Sequence, residues 1–345
     1  MSFNKKHFIV IGINLIICIS AVFIGIKAAQ PTHSIKEEVI KEVEIKSSDF
    51  DALNNTFKFD VSDLAYSEVN TIDINSKTYS SGITVLDSDF KISEELLNKI
   101  NNTINSYGAS TSFYIVSLED GMSIGYNVDK AFETASSIKA PYALYVYKEI
   151  AKGNVDPKAK LTYESKYYNE GTGVIKKSSF GTQYTIEQLV YYSLNDSDNI
   201  AHEMLHRNFG VSGYNEMLKN LGTKQLYLTA GNPWGFTSAR SAALVWQEIY
   251  NFSLESDVGI ELLNILSNGK YNYFKEVMPS IPSASKTGFA KKDVVETGIV
   301  FDDKPYIAVA IANKGGNIGA YTQVLKLVNY MNDIMNEYKD YLSKK

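Results

Sequence analysis

Near its C-terminus the chain reads ASKTGFAKKDVVETGIVFDDKPYIAVAIAN, residues 284–313. Runs rich in β-branched and other apolar residues alternate here with short polar segments, which is the pattern of consecutive strands joined by turns. A Lys-Pro pair follows two aspartates between the last two runs and indicates a tight connection. We therefore predict three strands in this stretch, over Ala284–Ala290, Glu296–Phe301 and Tyr306–Asn313.

Elements earlier in the chain complete the predicted sheet. Ser112–Val116 and Met122–Tyr126 are strand-like and flank a turn. Apolar residues at helical spacing predict helices over Ile92–Tyr107 and Thr322–Tyr341, with a long helical middle from Ser136 to about Gly269. We expect an α/β fold of the α+β sandwich type, in which a five-stranded antiparallel sheet has the terminal helices on one face and an all-helical subdomain on the other.

The composition excludes several classes of protein. The chain has 345 residues and a net charge of -5, and only Arg207 and Arg240 are arginines, so a clustered basic face for nucleic acid is not expected. Cys18 is the single cysteine, which rules out a disulfide framework and a multi-cysteine zinc site. Four histidines leave a Ser-His-Asp triad few residues to draw on.

The N-terminal region predicts a membrane anchor. Residues 8–26 are uncharged and long enough to span a bilayer, and the lysines before them keep the N-terminus in the cytoplasm. We predict a cytoplasmic stub and transmembrane signal anchor over residues 1–30, an extracellular polar linker over 31–86 and an extracellular domain over 87–345. The chain is then a single-pass protein of the cell membrane. The alternative is a cleaved signal peptide, for which Lys27-Ala28-Ala29 is a poor cleavage site.

Residues 202–206 read HEMLH, the HExxH pattern with which helical zinc proteases hold their metal. His202 and His206 share a helix face, and Glu203 would be the general base. A catalytic zinc site needs a third protein ligand, and no histidine follows His206. The alternative is an amphipathic helix with both histidines facing solvent and Glu203 paired with Arg207. We favour this alternative and predict no metal site.

Three short motifs have the residue types that serine-based chemistry needs. The first, Ser136-Ser137-Ile138-Lys139, opens a predicted helix, so the Ser136 hydroxyl lies at the positive end of the helix dipole. Lys139 follows one turn later, and a desolvated lysine has a lowered pKa and can accept the serine proton. The S-x-x-K pattern alone is weak, because it recurs elsewhere in this chain.

The other two motifs are Ser197-Asp198-Asn199 and Lys286-Thr287-Gly288. Alone, the first is typical of a helix N-cap, for which Ser, Asp and Asn are the preferred residues. The second lies in the predicted strand Ala284–Ala290. Lysine is common there at exposed edges, and glycine often marks a place where a ligand approaches the backbone.

In this order, S-x-x-K, S-D-N and K-T-G are the motif set of class A β-lactamases and penicillin-binding proteins. From about residue 92 to residue 341 the chain resembles that family of active-site serine hydrolases. The resemblance implies a β-lactamase/DD-peptidase-like fold for the domain, an acyl-enzyme mechanism and no cofactor. It also implies a small substrate, either a β-lactam or a peptide like that of peptidoglycan, and no nucleic-acid partner.

The resemblance implies catalytic roles for four residues. Ser136 would be the acylated nucleophile and Lys139 its general base. Ser197 would relay a proton to the leaving nitrogen. Lys286 would supply positive potential for the substrate carboxylate.

The resemblance implies substrate-binding roles for four more. Asn199 would hold the lysine base and the substrate amide, and Thr287 would help to bind the carboxylate. Gly288 would leave room for substrate beside the strand. The backbone N–H of Phe289 would complete an oxyanion hole with that of the nucleophile.

One segment departs from the family pattern. Class A β-lactamases have a loop glutamate after S-D-N that activates the deacylating water, whereas Leu226–Arg240 contains no acidic residue. A missing general base typically costs about 10²–10⁴-fold in rate. We therefore predict that Ser136 is acylated and that deacylation is slow. Two alternatives stay open: a true β-lactamase that activates its water differently, and a sensor or binding module that is acylated without turnover.

Overall fold

The computed structural model of the protein describes residues 72–107 and 110–345. Its strands are β1 (Thr84–Leu86), β2 (Thr111–Ser117), β3 (Ser123–Tyr126), β4 (Phe132–Glu133), β5 (Lys160–Thr162), β6 (Gln183–Thr185), β7 (Phe236–Thr237), β8 (Ser283–Phe289), β9 (Val294–Val300) and β10 (Tyr306–Ala312). Six of them form one antiparallel sheet in the order β1-β3-β2-β10-β9-β8, and the others form two short ribbons, β4 with β7 and β5 with β6. The main sheet thus takes strands from both ends of the domain, as predicted.

The predicted number of strands, five, is wrong, because β1 adds a sixth at the edge of the sheet. This strand falls inside the predicted linker, residues 31–86. The segment before it also packs on the domain, since Arg240 Nη1 donates to Ile74 O at 2.6 Å. Part of the segment predicted as a linker thus packs on the domain, and the boundary at residue 87 stays a prediction. The segment is polar overall, but the side chain of Ile74 is buried in the core and the Ile72 carbonyl accepts from Gln247 Nε2 at 2.9 Å.

Helices cover both faces of the sheet. In the described residues they are α1 (Glu94–Tyr107), α2 (Lys139–Ala151), α3 (Ile186–Asn195), α4 (Asn199–Phe209), α5 (Ser212–Asn220), α6 (Ala239–Glu255), α7 (Asp257–Ser267), α8 (Tyr273–Val277) and α9 (Gly316–Leu342). Apolar residues of α1 and α9 pack on one face of the sheet, and those of α2, α6 and α7 belong to the core on the other. This is the predicted layering of terminal helices against a helical subdomain.

The predicted membrane anchor, residues 8–26, lies outside the described residues, as do the predicted cytoplasmic stub and most of the predicted linker. Among the helices that the structure does describe, none combines the length and the apolar character needed to cross a bilayer.

The last strand of the sheet, β8, positions the site. It pairs with β9 so that Lys286 lies opposite Thr297 and Thr287 lies opposite Glu296. Because side chains alternate along a strand, Lys286 and Gly288 face the helical layer while Thr287 faces the layer of α8 and α9. Residues that are adjacent in the K-T-G motif therefore serve different sides of the sheet.

Candidate active site

Ser136 lies on a 3₁₀ turn, Ala135–Ile138, which leads directly into α2 and is called the nucleophile turn below. The backbone of Ala135 has a φ of 45°, in the left-handed region that strains a residue with a side chain. The preceding residue anchors the turn, because Thr134 donates its N–H and its hydroxyl to Gly235 O at 2.9 and 3.0 Å. These bonds hold the nucleophile through its backbone.

The nucleophile turn packs directly against β8 at Gly288. A Cβ at this position would lie 2.3 Å from Thr134 O and 3.0 Å from Ser137 N. Real Cβ atoms do not approach backbone this closely, so only glycine fits here. The backbone on either side of Ser136 thus lies against Gly288, and the role of this glycine in leaving room for substrate stays a prediction.

The amine of Lys139 is the centre of the site. Its Nζ lies 2.9 Å from Ser136 Oγ, 2.7 Å from Ser197 O and 2.7 Å from Asn199 Oδ1. The side chain is fully buried, and this burial, reinforced by the charge of Lys286, lowers the pKa of Lys139 well below its ordinary value. A neutral amine in this position can accept the proton of Ser136.

The S-D-N motif combines an N-cap with two side chains that reach the lysine. Asp198 is the N-cap of α4: its Oδ1 accepts from the backbone N–H of Ile200 and Ala201, at 2.8 and 3.0 Å. Its Oδ2 accepts from two further backbone N–H groups, in the segment before α3. The capping interpretation therefore holds for Asp198, while Ser197, with a φ of 51°, and Asn199 turn towards Lys139.

Lys286 approaches the same serine hydroxyl from the sheet. Its Nζ lies 3.1 Å from Ser197 Oγ, which is itself 3.2 Å from Lys139 Nζ. Burial lowers the pKa of Lys286 to about 8, and the negative charge of Glu296 opposes this shift. The hydroxyl of Ser197 thus bridges two buried amines and can pass a proton between groups on either side of it.

Glu296, which the sequence analysis missed, is a buried carboxyl group behind the K-T-G strand. Burial raises the pKa of Glu296 to about 7. The hydroxyl of Thr287 lies 2.6 Å from Glu296 Oε2 and 3.0 Å from Tyr271 O, and it has one proton for two oxygen neighbours. A protonated Glu296 resolves this, because it donates to Thr287 while Thr287 donates to Tyr271 O. To bind a substrate carboxylate, the Thr287 hydroxyl must give up its hydrogen bond to Tyr271 O or to Glu296. This role of Thr287 stays a prediction.

Asn199 and Phe289 border the catalytic groups. Besides its contact with Lys139, Asn199 donates from Nδ2 to Asn169 Oδ1 at 3.3 Å, and its backbone N–H donates to Thr172 O at 3.0 Å. The loop before α3 is thereby attached to the site. Phe289 ends β8 and its side chain is half exposed. The role of its N–H in an oxyanion hole stays a prediction.

The two histidines of the HExxH stretch do not face solvent, and that expectation is wrong. His202 and His206 are each 1% exposed, because Tyr142 of α2 packs edge-on or tilted against both rings and a loop covers them on another side. The pairing of Glu203 with Arg207 is present, at 2.5 Å. In the described residues no three His, Cys, Asp or Glu side chains are grouped to hold a metal ion.

The loop that covers these histidines is Leu226–Arg240, called the Trp234 loop below. Its first residue contacts a later part of the loop, since Leu226 N–H donates to Phe236 O at 2.7 Å. Trp234 lies with its ring centroid 5.4 Å from Lys139 Nζ. The segment in which the family pattern has an acid therefore presents an aromatic ring to the catalytic lysine. The sequence of the loop shows that an acidic residue is missing, but it does not show that Trp234 lies beside Lys139 instead.

Comparison with known proteins agrees with this geometry. A model of the beta-lactamase enzyme family matches residues 95–336. The chain belongs to this family. Beta-lactamase VEB-1 of Pseudomonas aeruginosa is 29% identical over 119 residues, 34% of this chain and 40% of that protein. The beta-lactamase regulatory protein BlaB of Streptomyces cacaoi is 24% identical over 135 residues, 39% of this chain and 43% of that protein. The chain thus spans less than half the length of either relative.

Solved structures share the fold of this beta-lactamase-family chain. PBP-A matches with a TM-score of 0.64 at 20% identity, over 71% of this chain and 97% of that one. A leucine-to-glutamate mutant of PBP-A, in an acyl-enzyme complex with penicillin G, matches with a TM-score of 0.65 at 19% identity, over 70% and 97%. A beta-lactamase from Sphaerobacter thermophilus gives 0.61 at 19%, over 71% and 96%. At these identities the likeness establishes the fold alone.

Proposed function

We propose that this protein is a membrane-anchored, extracellular, penicillin-recognising serine hydrolase that is acylated at Ser136 and deacylates slowly. The observation that supports this most strongly is the buried Lys139 amine, 2.9 Å from Ser136 Oγ. A neutral amine has two N–H bonds, and two carbonyl acceptors, Ser197 O and Asn199 Oδ1, lie 2.7 Å away. Its lone pair is then left for the proton of Ser136.

Acylation follows from this arrangement. Lys139 takes the proton of Ser136 as Oγ attacks the carbonyl carbon of the β-lactam or peptide. The backbone N–H groups of Ser136 and Phe289 stabilise the oxyanion of the tetrahedral intermediate. When the C–N bond breaks, Ser197 gives its proton to the leaving nitrogen and receives one from protonated Lys139, so the lysine is neutral again.

The charge of Lys286 defines the class of substrate. With a pKa of about 8 this side chain is mainly cationic at neutral pH. A fixed positive charge beside Ser197 favours acyl donors with a carboxylate near the leaving nitrogen, a feature shared by penicillins and C-terminal peptides. We therefore infer that both a β-lactam and a cell-wall-like peptide acylate the same serine.

Slow deacylation is inferred from the Trp234 loop. Hydrolysis of the ester at Ser136 needs a group that takes a proton from water, and this loop has no carboxylate. The indole of Trp234 occupies the space beside Lys139 instead. An absent general base slows the step by about 10²–10⁴-fold.

The experiment is a time course of intact mass for the full chain in detergent with penicillin G. One adduct that forms within minutes and persists for hours supports the proposal, and Ser136→Ala should form none. A wild-type chain without any adduct would contradict the nucleophile assignment. An adduct that never accumulates while penicillin is consumed would contradict slow deacylation and favour a true β-lactamase.

A sensor is the second candidate function. It is favoured by the likeness to a relative that is named a beta-lactamase regulatory protein, and by the same loop without an acid. A chromogenic cephalosporin distinguishes the candidates. A burst of one equivalent followed by steady turnover indicates a hydrolase, whereas a burst alone indicates a sensor.

A further inference from the structure

The two HExxH histidines connect the helix of the S-D-N motif to the Trp234 loop. His202 Nε2 lies 3.0 Å from Pro233 O, and His206 Nε2 lies 3.0 Å from Thr229 O. A carbonyl oxygen can only accept, so each Nε2 has a proton and donates it. The nitrogen atoms with which an HExxH helix would bind zinc are thus both occupied by loop backbone.

Both rings are held in the neutral form. Nδ1 of each histidine is buried and has no hydrogen-bond partner among the described residues, so a charged ring would bury an unpaired donor. Burial, with the charge of Lys139 as a second cause, lowers the pKa of His202 to about 3. Burial also lowers the pKa of His206. The two bonds to the loop therefore persist throughout the physiological pH range.

The loop residue next to the His202 contact is the one that meets the catalytic lysine. Trp234 follows Pro233 directly, and its ring lies 5.3 Å from that of His202 as well as 5.4 Å from Lys139 Nζ. On its other side, Gly235 N–H donates to Thr134 Oγ1 at 3.3 Å, next to the nucleophile turn. The indole is therefore fixed between α4 and the nucleophile turn.

We propose that His202 and His206 are positioning residues that hold the Trp234 loop closed, so that the indole covers Lys139 and excludes water from the acyl-enzyme. The inference rests on the proposed function, because it explains the lifetime of an ester at Ser136. In this proposal the HExxH residues position a loop and do not bind a metal ion.

Opposing influences act on Lys139 from the elements around it. Lys286 of β8 and His202 of α4 face it, and Asp198, also of α4, favours its charged form. The indole adds a cation–π attraction for that form but also removes water, and burial is the largest influence on the lysine. Opening the loop hydrates the amine, so the pKa of Lys139 then rises towards its ordinary value.

The test compares His202→Phe with His202→Gln in the full chain. Phenylalanine keeps a buried ring and loses the donor to Pro233 O, whereas the glutamine amide nitrogen replaces imidazole Nε2 as a donor. Both changes are made with Trp246→Phe, so that Trp234 is the single tryptophan and its quenching by acrylamide reports loop opening. Circular dichroism verifies that each variant is folded.

For His202→Phe we expect stronger quenching and at least threefold faster loss of the penicillin G adduct. Its acylation should reach the plateau at a higher pH than in the wild type, because the hydrated amine of Lys139 has a higher pKa. His202→Gln should restore all three readouts. A matched pair, His206→Phe and His206→Gln, applies the same test to the hydrogen bond between His206 and Thr229 O. If His202→Phe does not fold, this second pair replaces the first.

Quenching that is the same in the Phe and Gln variants would overturn the inference, as would identical adduct lifetimes. Quenching does not depend on acylation, so the two proposals fail separately. A chain that never forms the adduct but opens in His202→Phe contradicts only the proposed function. A chain that forms a long-lived adduct but shows no difference between the variants contradicts only the loop inference.

Discussion

The two walls of the site differ in what they can do. The wall formed by α2, α4 and β8 holds Lys139, Ser197 and Lys286, with the Ser197 hydroxyl 3.2 and 3.1 Å from the two amines. The wall formed by the Trp234 loop presents an indole and no carboxylate. In the proposed mechanism the first wall performs acylation and the second controls water. The two half-reactions therefore depend on separate segments of chain, and one can be retained while the other is lost.

The largest expected effect comes from removing the base of the first wall. Lys139→Met keeps much of the buried volume and loses the amine, so acylation by penicillin G should slow by about 10²–10⁴-fold. Stopped-flow or quenched-flow mass spectrometry measures the rate. Lys152→Met, just beyond the end of α2, is the control and should acylate normally. A Lys139→Met rate close to wild type would mean that another group is the base.

Alanine substitutions at two glycines, Gly288 and Gly231, test how tightly each wall is packed. In Gly288→Ala the new Cβ would lie 2.3 Å from Thr134 O, so the nucleophile turn must shift. We expect a loss of about 1–3 kcal/mol in the free energy of unfolding and at least tenfold slower acylation. Gly231→Ala, in the Trp234 loop, has no atom within 4 Å of the added Cβ and should change neither quantity. Equal effects of the two substitutions would contradict the close approach of turn and strand.

Glu296 lies on β9, directly behind β8 of the first wall, and makes the stability of the protein depend on pH. Its folded pKa, about 7, is above the ordinary value of 4.5, so the folded state keeps a proton that the unfolded state has released. Stability from this group is complete below about pH 4.5 and is lost as the pH rises through 7. Glu296→Gln, which mimics the protonated form, should be about 3 kcal/mol more stable than wild type at pH 8, and the difference should vanish at pH 4.5.

Denaturant unfolding at the two pH values measures this difference. Glu95→Gln, on the exposed surface of α1, should show no such pH dependence. A Glu296→Gln variant that is less stable than wild type at pH 8 would mean that the buried group is ionised and favourable.

The smallest expected effect tests the outer side of α4. Arg207→Ala removes an ion pair between the half-exposed Arg207 and Glu203 and should cost less than about 1 kcal/mol. Acylation and adduct lifetime should be those of wild type, in contrast to His202→Phe one turn earlier on the buried side. A change in adduct lifetime in Arg207→Ala would show that the outer side also acts on the Trp234 loop.

The order of helices and strands was predictable because each element leaves its own short-range periodicity of apolar residues in the sequence. Alternation over residues 284–313 yielded three strands close to their actual bounds, and helical spacing over Thr322–Tyr341 yielded a helix that in the structure already begins at Gly316. The motif set likewise predicted which residues come together around Lys139. Their distances and burial depend on how β8 packs against the nucleophile turn, which no local pattern records.

The features that were missed depend on contacts between distant segments. The apolar stripe of α4 indicates a single buried face, yet Tyr142 and the Trp234 loop cover His202 and His206 as well. A single acid within VVETGIV does not show that Glu296 meets Thr287, because that contact depends on the register of β8 with β9. In both cases tertiary packing, rather than local propensity, decides the outcome.

The position of β10 in the sheet has a consequence for the order of folding. β10 lies between β2 and β9, with Tyr306 opposite both Ser117 and Val300, so the sheet is completed only when this strand pairs with β2 from much earlier in the chain. Closing such a long loop is slow compared with forming helices. Until this loop closes, β8 does not hold Lys286 beside Ser136 and Lys139. The nascent chain therefore contains its nucleophile long before it has a site, and reactivity at Ser136 should arise in a single late step of folding.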